Sequence, residues 1–330
     1  MSILGLSLGL AALFVGFGLL IGILFGFFGM GGSFLVTPAL LVMGYPAKVA
    51  VGSGLAFVFG TSIIAALRHR DLGQVDYKLG AMFVVGMTAG IEVGKRLVLV
   101  LEAAGLADTV VSVAYVVLLA TVGLFVLRDA RTADDGDGED NSAILRALRR
   151  VRLPPVITLK GDIEVSIWVG LTIAFAIGIL SGFLGVGGGF LLMPAMMYGL
   201  GVPAAVAVGT DVFQITISGA FGAFRYAQEG AVSLPVVTTL LAGSALGARV
   251  GAAATDVVDE DAIKGYFAAM LLAGALAVAS KKLGTVYAID LLSTVSMALI
   301  FGAAILVSGA ILYRAAVNIR QESRAESLAD

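Results

Sequence analysis

The sequence lacks cysteine altogether and contains a single histidine, His69, among its 330 residues. Without cysteine the chain can form no disulfide, no thiolate metal site and no cysteine nucleophile. The H-E-x-x-H zinc helix and the G-x-S-x-G nucleophile elbow are both absent from the sequence. We therefore expect no metal, no other cofactor, no catalytic residues and no enzymatic activity.

Charge is also scarce. Only 13% of the residues are charged, whereas about a quarter are charged in a soluble domain. The net charge of −2 leaves no basic stripe for phosphates, which argues against a nucleic-acid partner. Hydrophobic residues make up 59% of the chain and the mean hydropathy is +1.02. This composition predicts an all-α, multi-pass protein of the cell (cytoplasmic) membrane that is surrounded by the lipid bilayer. It is compatible with a monomer and with a homo-oligomer.

Nine apolar segments are long enough to cross a bilayer, which takes about 20 helical residues. They lie at 3–28, 47–67, 77–98, 108–128, 165–185, 204–224, 232–253, 262–280 and 288–313. Two further segments, 33–43 and 190–200, would form only about 16 Å of helix, against a hydrocarbon core of about 30 Å. We expect these two to be re-entrant half-helices that enter the membrane and return.

Each short segment follows a glycine-rich stretch. Gly26-Phe-Phe-Gly-Met-Gly-Gly-Ser-Phe-Leu-Val-Thr-Pro38 and Gly182-Phe-Leu-Gly-Val-Gly-Gly-Gly-Phe-Leu-Leu-Met-Pro194 each place four glycines within seven residues. Glycine destabilises a helix interior, and a broken helix persists in a membrane only where protein or a cavity satisfies its backbone. The pattern predicts two broken helices that line a polar pathway.

The two halves of the chain align with each other. From Pro203 onward, each residue of the second half matches the residue 157 positions earlier in the sequence. Gly52-Ser53 then matches Gly209-Thr210, Arg68 matches Arg225, and the stripe Gly86/Gly90/Gly94 matches Gly243/Gly247/Gly251. Glycines every four residues lie on one helix face, so we interpret the stripes as helix-packing seams.

The repeat divides the chain into four parts. These are a first transmembrane repeat (1–128), a polar cytoplasmic linker (129–163), a second repeat (164–285), and an extra helix with a polar tail (286–330). Each repeat holds four full spans, which predicts tandem repeats of one orientation. If the short segments do cross, five spans per half would invert the repeats instead.

Nine spans place 13 basic residues on the side of the linker and 8 on the other. The positive-inside rule then puts the linker and the N-terminus in the cytoplasm and the C-terminus outside. This alternation places Lys95 and Arg225 on opposite sides of the membrane.

The paired G-x-G-G-[GS]-F-L-x-x-P motifs, each followed by a proline-initiated helix, resemble the TauE/SafE sulfite exporter family over roughly 10–128 and 165–282. The resemblance implies secondary transport of a small sulfur-containing anion, such as sulfite or a sulfonate, in the direction of export. Duplicated halves favour alternating access, with the anion bound between the two breaks. An anion channel, or a permease for a different small organic anion, is the alternative. The two copies differ at Ser33, which matches Gly189, and at Asp211, which matches Gly54.

The broken helices supply the candidate substrate-binding residues. Backbone N–H groups freed at a helix start can bind an oxyanion. The candidates are Gly29, Gly31, Gly32, Ser33, Gly185, Gly187, Gly188 and Gly189. The competing interpretation is that these glycines only permit close helix packing.

Three ionisable residues, Glu92, Asp211 and Arg249, lie within apolar spans, where a charge costs about 2.5–3.5 kcal/mol or more. Glu92 and Arg249 occupy equivalent repeat positions and could pair, although Lys95 and Arg96 are local alternatives for Glu92. Asp211 has no basic neighbour in sequence. It could bind a coupling proton or cation, or it could cap its helix.

Overall fold

The computed structural model describes residues 2–3, 6–28, 33–132, 154–159, 164–255 and 260–329. Within these ranges the chain is helical apart from loops and two short antiparallel hairpins, in which β1 (Ser2–Ile3) pairs with β2 (Leu6–Ser7) and β3 (Val156–Thr158) with β4 (Glu164–Ser166). The helices are α1 (Leu8–Phe28), α2 (Ser33–Val42), α3 (Ala47–Asp71), α4 (Tyr77–Ala103), α5 (Ala107–Thr132), α6 (Ile167–Leu184), α7 (Gly189–Pro194), the π-helix π1 (Ala195–Leu200), α8 (Ala204–Ala227), α9 (Leu234–Thr255), α10 (Glu260–Tyr287) and α11 (Asp290–Ala329).

Among the described residues, eight helices are long and apolar enough to cross a membrane. They correspond to eight of the nine predicted spans, which confirms an all-α polytopic membrane protein. The ninth, α4, is 27 residues long but carries Glu92, Lys95 and Arg96 within its apolar sequence. The acidic part of the predicted linker lies outside the described residues.

The chain forms two compact units that do not coincide with the two sequence repeats. The first unit comprises residues 1–44, 112–138 and 238–330, and the second comprises 45–111 and 139–237. Each unit therefore combines helices from both repeats.

In the second unit, the glycine stripe of α4 packs against α6, the first helix of the other repeat. Added Cβ atoms on Gly86 and Gly178 would lie 2.6 Å from the Cβ of Ala174 and 2.7 Å from the carbonyl oxygen of Met87. Gly94 likewise meets the backbone of Gly182. Because residue numbers rise together along the seam, α4 and α6 run parallel. The predicted packing role of the stripe is confirmed.

The first unit contains the equivalent seam. Gly243, Gly247 and Gly251 of α9 lie against the backbone of Val15, Leu19 and Ile23 in α1. In each unit, the glycine helix of one repeat packs on the first helix of the other repeat. The small residues are needed because backbones at such close approach leave no room for a Cβ.

We expect Gly90→Leu to destabilise the protein in detergent by more than about 2 kcal/mol, because overpacking against rigid backbone forces the helices apart. The added side chain would meet the backbone of Phe175 and Ile179. Val93→Leu, at a position that is 43% exposed on the same helix, is the control. Thermal unfolding checks this, and equal melting temperatures for the two variants would contradict a tight seam.

Helices α3 and α8 occupy equivalent repeat positions, and they pack against each other in antiparallel directions. Leu55 contacts Gly222, Phe59 contacts Gly219, and the Thr216 hydroxyl donates a hydrogen bond to Ser62 Oγ at 3.0 Å. Equivalent helices that run in opposite directions belong to inverted repeats. The expectation of one shared orientation is therefore wrong for these helices, and the five-span alternative describes them.

The helices on either side of the second break, α6 and α8, run in the same direction, because both are parallel to α4. Near the start of α4, Gly80 contacts Phe213 of α8; farther along, Ile91 contacts both Gly182 of α6 and Gly222 of α8. The segment 185–203 must therefore carry the chain back from the end of α6 to the start of α8. The prediction that this segment returns to the side it entered is wrong. The prediction assumed a helical rise of about 1.5 Å per residue for the short segment. Residues 185–188 and 201–203 lie outside the helices and can advance farther, by about 3.3 Å per residue.

A pair of equivalent contacts explains the shared Gly-[Ser/Thr] dipeptides. The Thr210 hydroxyl accepts a hydrogen bond from the N–H of Asp76 at 2.9 Å, and the Ser53 hydroxyl accepts one from the N–H of Ser233 at 3.0 Å. The preceding glycines, Gly209 and Gly52, lie against the carbonyl groups of Gln74 and Ala231. Each repeat thus fixes the loop before the glycine-stripe helix of the other repeat.

Thr210→Ala should destabilise the protein by about 1 kcal/mol, the usual net contribution of one hydrogen bond. Thr210→Ser retains the hydroxyl and should keep most of that stability. Chemical denaturation in mild detergent measures the difference. A Thr210→Ala variant as stable as Thr210→Ser would show that this hydrogen bond contributes nothing.

Candidate functional site

The second glycine-rich stretch interrupts the helical structure inside the second unit. Helix α6 ends at Leu184, and the N–H of Gly185 donates to the carbonyl oxygen of Ser181 at 2.7 Å. Gly185, Gly187 and Gly188 have φ angles of 76°, 69° and 86°. These values lie in the left-handed region that glycine adopts without strain. Residues 181–190 are all buried.

The break lies midway along the neighbouring helices. A Cβ on Gly187 would lie 2.7 Å from Val58 Cγ1 of α3 and 2.9 Å from Ile215 Cδ1 of α8, and a Cβ on Gly188 would lie 2.7 Å from Met87 Cε of α4. Each of these three contacts is near the centre of its helix. The sequence therefore needs glycine at positions 187 and 188 for both their backbone angles and their close contacts.

Three polar groups at the break have no partner among the described residues. They are the N–H groups of Gly187 and Gly188 and the hydroxyl of Ser181, which is 0% exposed. Ser181 follows Ile177 by one turn on the same helix face, and Ile177 Cγ2 lies 3.2 Å from the position of a Cβ on Gly188. A buried donor without a partner costs about 1–3 kcal/mol. This cluster is therefore a candidate place for a polar ligand.

A line of buried polar side chains runs along α8 beside the broken segment. Gln214 Nε2 donates to Asp211 Oδ1 at 3.0 Å, and the Ser218 hydroxyl donates to Gln214 Oε1 at 2.9 Å. These three residues share a helix face with Ala207, which belongs to the same buried apolar cluster as Leu192 of α7 and Met196 of π1. The polar line therefore lies on the side of α8 that faces the break.

The alternative role for Asp211, that of a helix cap, is wrong. Helix α8 begins after Pro203, which is its N-cap and makes no side-chain capping bond. Asp211 is the eighth residue of the helix, and its carboxylate bonds to a side chain rather than to the N–H groups of the first turn.

The polar line has no full counterpart in the first repeat. The positions equivalent to Asp211, Gln214 and Ser218 are Gly54, Phe57 and Thr61. The packing shared by the two repeats therefore does not require a carboxylate or an amide here.

The first break cannot be compared directly. Gly29, Gly31 and Gly32 lie outside the described residues, and Ser33 begins α2 with a side chain that is likewise outside them. Of the predicted binding residues, those that the structure brings to one place are Gly185, Gly187, Gly188 and Gly189. The sequence analysis named none of Ser181, Gln214 and Ser218 as site residues; the spacing of Gln214 and Ser218 by three and four residues after Asp211 was the available signal.

Glu92 pairs with two arginines. Its carboxylate accepts from Arg225 Nε at 2.8 Å and Nη2 at 3.0 Å, and from Arg96 Nε at 2.9 Å. The local partner Arg96 was expected at i+4, whereas Arg225 is 133 residues away in sequence. Arg249, the predicted long-range partner, is instead exposed on α9.

The ion pairs also correct the predicted sidedness. Lys95, which is 2% exposed, pairs with Glu229 at 2.8 Å. Arg225 pairs with Glu92, which lies one turn before Lys95 on α4. Lys95 and Arg225 therefore lie at the same end of the second unit. The nine-span alternation, which placed them on opposite sides of the membrane, is wrong here.

Glu229→Gln should lower the melting temperature more than Lys95→Met, because it leaves a buried ammonium without its carboxylate, whereas methionine fills the space with an apolar side chain. Lys95 holds the pKa of Glu229 below its usual value. The stabilisation by this pair is therefore fully present at pH values above the ordinary glutamate pKa, which applies to the unfolded chain. It is lost as the pH falls through the lowered pKa of Glu229 in the folded protein. Melting curves of both variants across acidic pH check this, and a more damaging Lys95→Met would contradict it.

The eight apolar spans, the inverted helix pair and the buried interruption define a polytopic membrane protein built like a transporter. In the ranges that the structure describes, no three His, Asp or Glu side chains are arranged to hold a metal ion.

The chain matches the family model described as "Sulfite exporter TauE/SafE" over residues 14–278 and belongs to that family. It is 26% identical over 250 residues to "Probable membrane transporter protein YunE" of Bacillus subtilis, covering 72% of this chain and 85% of the relative. It is also 26% identical over 239 residues to a "Probable membrane transporter protein" of Xylella fastidiosa, covering 72% and 82%. No solved structure matches the chain. The family and the names of these relatives indicate a membrane transporter.

Proposed function

We propose that this protein is a secondary transporter of a small sulfur-containing anion, such as sulfite or a sulfonate, and that the break at Gly185–Gly189 is part of its binding site. The observation that carries the proposal is the group of buried donors at the break that have no partner in the described part of the chain, namely the N–H groups of Gly187 and Gly188 and the Ser181 hydroxyl. The family description favours a sulfur oxyanion and export, and the bacterial relatives favour the cell membrane.

The donors suit this chemistry. Successive backbone N–H groups form concave sites for anions, and a hydroxyl adds one more donor to an oxyanion. Between residues 181 and 190 the sequence contains no lysine or arginine. Binding without a full positive charge would be weak enough for the anion to leave, which transport requires as much as entry.

The surrounding helices suit alternating access. Gly187 contacts Val58 of α3 and Ile215 of α8, which are the two equivalent, antiparallel helices of the inverted repeats. In transporters with inverted repeats, the substrate site lies near the repeat interface at the membrane midplane. Movement of α3 relative to α8 would then expose the break to each side in turn.

Exchange of labelled sulfite and of a labelled simple sulfonate by proteoliposomes tests the proposal. We expect saturable uptake of at least one of them, with inhibition by the unlabelled anion and none in protein-free vesicles. Large, non-saturating currents set by voltage alone would favour the channel alternative. Saturable uptake of a carboxylate, with neither sulfur anion moved, would favour a permease for a different organic anion.

A further inference from the structure

We infer that Asp211 is a proton-binding site and that Gln214 and Ser218 connect its protonation state to the anion site at the break. The connection to the anion site rests on the proposed function, whereas the proton site itself does not. Asp211 is 6% exposed, and Gln214 and Ser218 are 0% exposed. An ionised carboxylate in such a place is expensive unless a cation pairs with it, and protonation removes that expense.

Within the described ranges, the elements around Asp211 offer it no cation. Helices α6 and α7 and π1 contain no charged residue. Of the residues that the structure describes at the start of α4 and in the last turn of α3, the charged or titratable groups are engaged or exposed; the Tyr77 ring packs on Phe213 of α8, with ring centroids 5.3 Å apart. Asp76 Oδ1 accepts hydrogen bonds from the N–H groups of Lys78 and Leu79. Lys78 Nζ donates a hydrogen bond to the carbonyl oxygen of Thr158. The Nδ1 atom of His69 lies 2.6 Å from Gln74 Oε1, and Arg68 is exposed.

A proton fits this site better than a metal cation. A metal ion held by oxygen atoms takes six or more of them, whereas the side chains joined to Asp211 by hydrogen bonds, directly or through one partner, are Gln214 and Ser218 in the described part of the chain. The amide oxygen of Gln214 is turned away to accept from Ser218. Among the residues that the structure describes, the arrangement therefore satisfies a carboxyl group and provides too few oxygens to surround a metal ion.

The two hydrogen bonds form a chain with a defined direction. While Asp211 is ionised, it accepts from Gln214, and the amide oxygen of Gln214 accepts from the Ser218 hydroxyl. A protonated Asp211 has an O–H donor. The amide can then turn over, accepting from Asp211 and donating to Ser218. The hydroxyl hydrogen of Ser218 is thereby released from Gln214.

The released hydrogen lies at the height of the anion site. Along the parallel pair α4 and α8, Gly80 contacts Phe213 and Ile91 contacts Gly222, which places Ser218 at about the same height as Met87. Met87 in turn contacts Gly188. Protonation of Asp211 should therefore favour anion binding by about tenfold, through one added hydrogen bond and reduced like-charge repulsion.

Because protonation favours anion binding, the proton and the anion should move in the same direction. One proton carried with a monovalent sulfonate leaves no net charge, so this transport should respond to the pH gradient and not to the membrane voltage. A carrier that moves the anion alone would respond to voltage.

Infrared difference spectroscopy of the purified protein during pH titration tests the proton site without any substrate. Each of the 23 acidic residues gives a carboxylic-acid carbonyl band when it is protonated, and we expect one such band of the unmodified protein to be missing from Asp211→Asn. It should remain in Asp71→Asn, which changes an exposed aspartate at the end of α3. The absence of such a band in the unmodified protein, or its persistence in Asp211→Asn, would overturn the proton site.

Sulfonate uptake into proteoliposomes, with and without a pH gradient, tests the connection. The unmodified protein should show gradient-driven, voltage-independent uptake, and Gln214→Leu and Ser218→Ala should each lose most of the gradient effect. Uptake that ignores the pH gradient in the unmodified protein would overturn the connection alone. An intact infrared band with no uptake of sulfite or sulfonate would reject the proposed function and the connection together, and would leave the proton site standing.

Discussion

Gly187→Leu is expected to abolish anion transport while the protein remains assembled in the membrane. The leucine side chain would fill the space between Val58 and Ile215 and would force a backbone with a φ of 69° into strain. Left-handed backbone costs a bulky residue about 1–3 kcal/mol, and the displaced loop would no longer present the N–H groups of Gly187 and Gly188. The measurement is exchange of labelled sulfite or sulfonate by proteoliposomes with matched amounts of protein.

Gly73→Leu is the matched control. Gly73 has a φ of 66°, close to that of Gly187, but an added Cβ there meets nothing within 4 Å. This variant carries the same backbone strain in the turn between α3 and α4, away from the break. Transport should survive in Gly73→Leu. Normal transport by a folded Gly187→Leu protein would show that the glycines serve packing only and that the anion site lies elsewhere.

Single cysteines at Ala104 and Gln228 are expected to react with an impermeant thiol reagent from the same side of the membrane. Gln228 directly follows α8 and Ala104 directly follows α4, and the pairs Glu92–Arg225 and Lys95–Glu229 join the end of α8 to the second half of α4, which runs parallel to it. The nine-span alternation predicts labelling from opposite sides. Each cysteine should be labelled from one side of the membrane only. Because the native sequence contains no cysteine, labelling of other residues gives no background signal.

A cysteine at Leu72 is the control for the opposite side. Leu72 is 58% exposed after α3, at the end where Lys78 donates a hydrogen bond to the carbonyl of Thr158, near the end of the predicted linker. The stretch from Arg128 to Lys160 carries seven basic residues, so the positive-inside rule makes this the cytoplasmic end. Leu72→Cys should react only from the cytoplasmic side. Labelling of Ala104→Cys and Gln228→Cys from opposite sides would contradict the inverted arrangement.

The long-range ion pairs show where sequence reasoning was limited. The i+4 pair of Glu92 and Arg96 follows from helix geometry alone, and the sequence predicted it. Arg225 was recognised only as an equivalent of Arg68, because no local rule brings residues 133 positions apart into contact. Ser181 looked like an ordinary small residue in α6, and its significance appears only where the break folds back beside it.

The sequence by itself determined the class of this protein and the position of its interruptions. Composition, apolar length and the backbone preferences of glycine are local properties, and they sufficed to predict an all-α membrane protein with a break near Gly187 and packing seams at the glycine stripes. The tertiary structure decided the direction of the chain after the break, the antiparallel pairing of α3 with α8 and the partners of Glu92 and Lys95. Those features depend on contacts between residues far apart in sequence. The apolar pattern of a helix is the same whichever way the helix crosses a membrane.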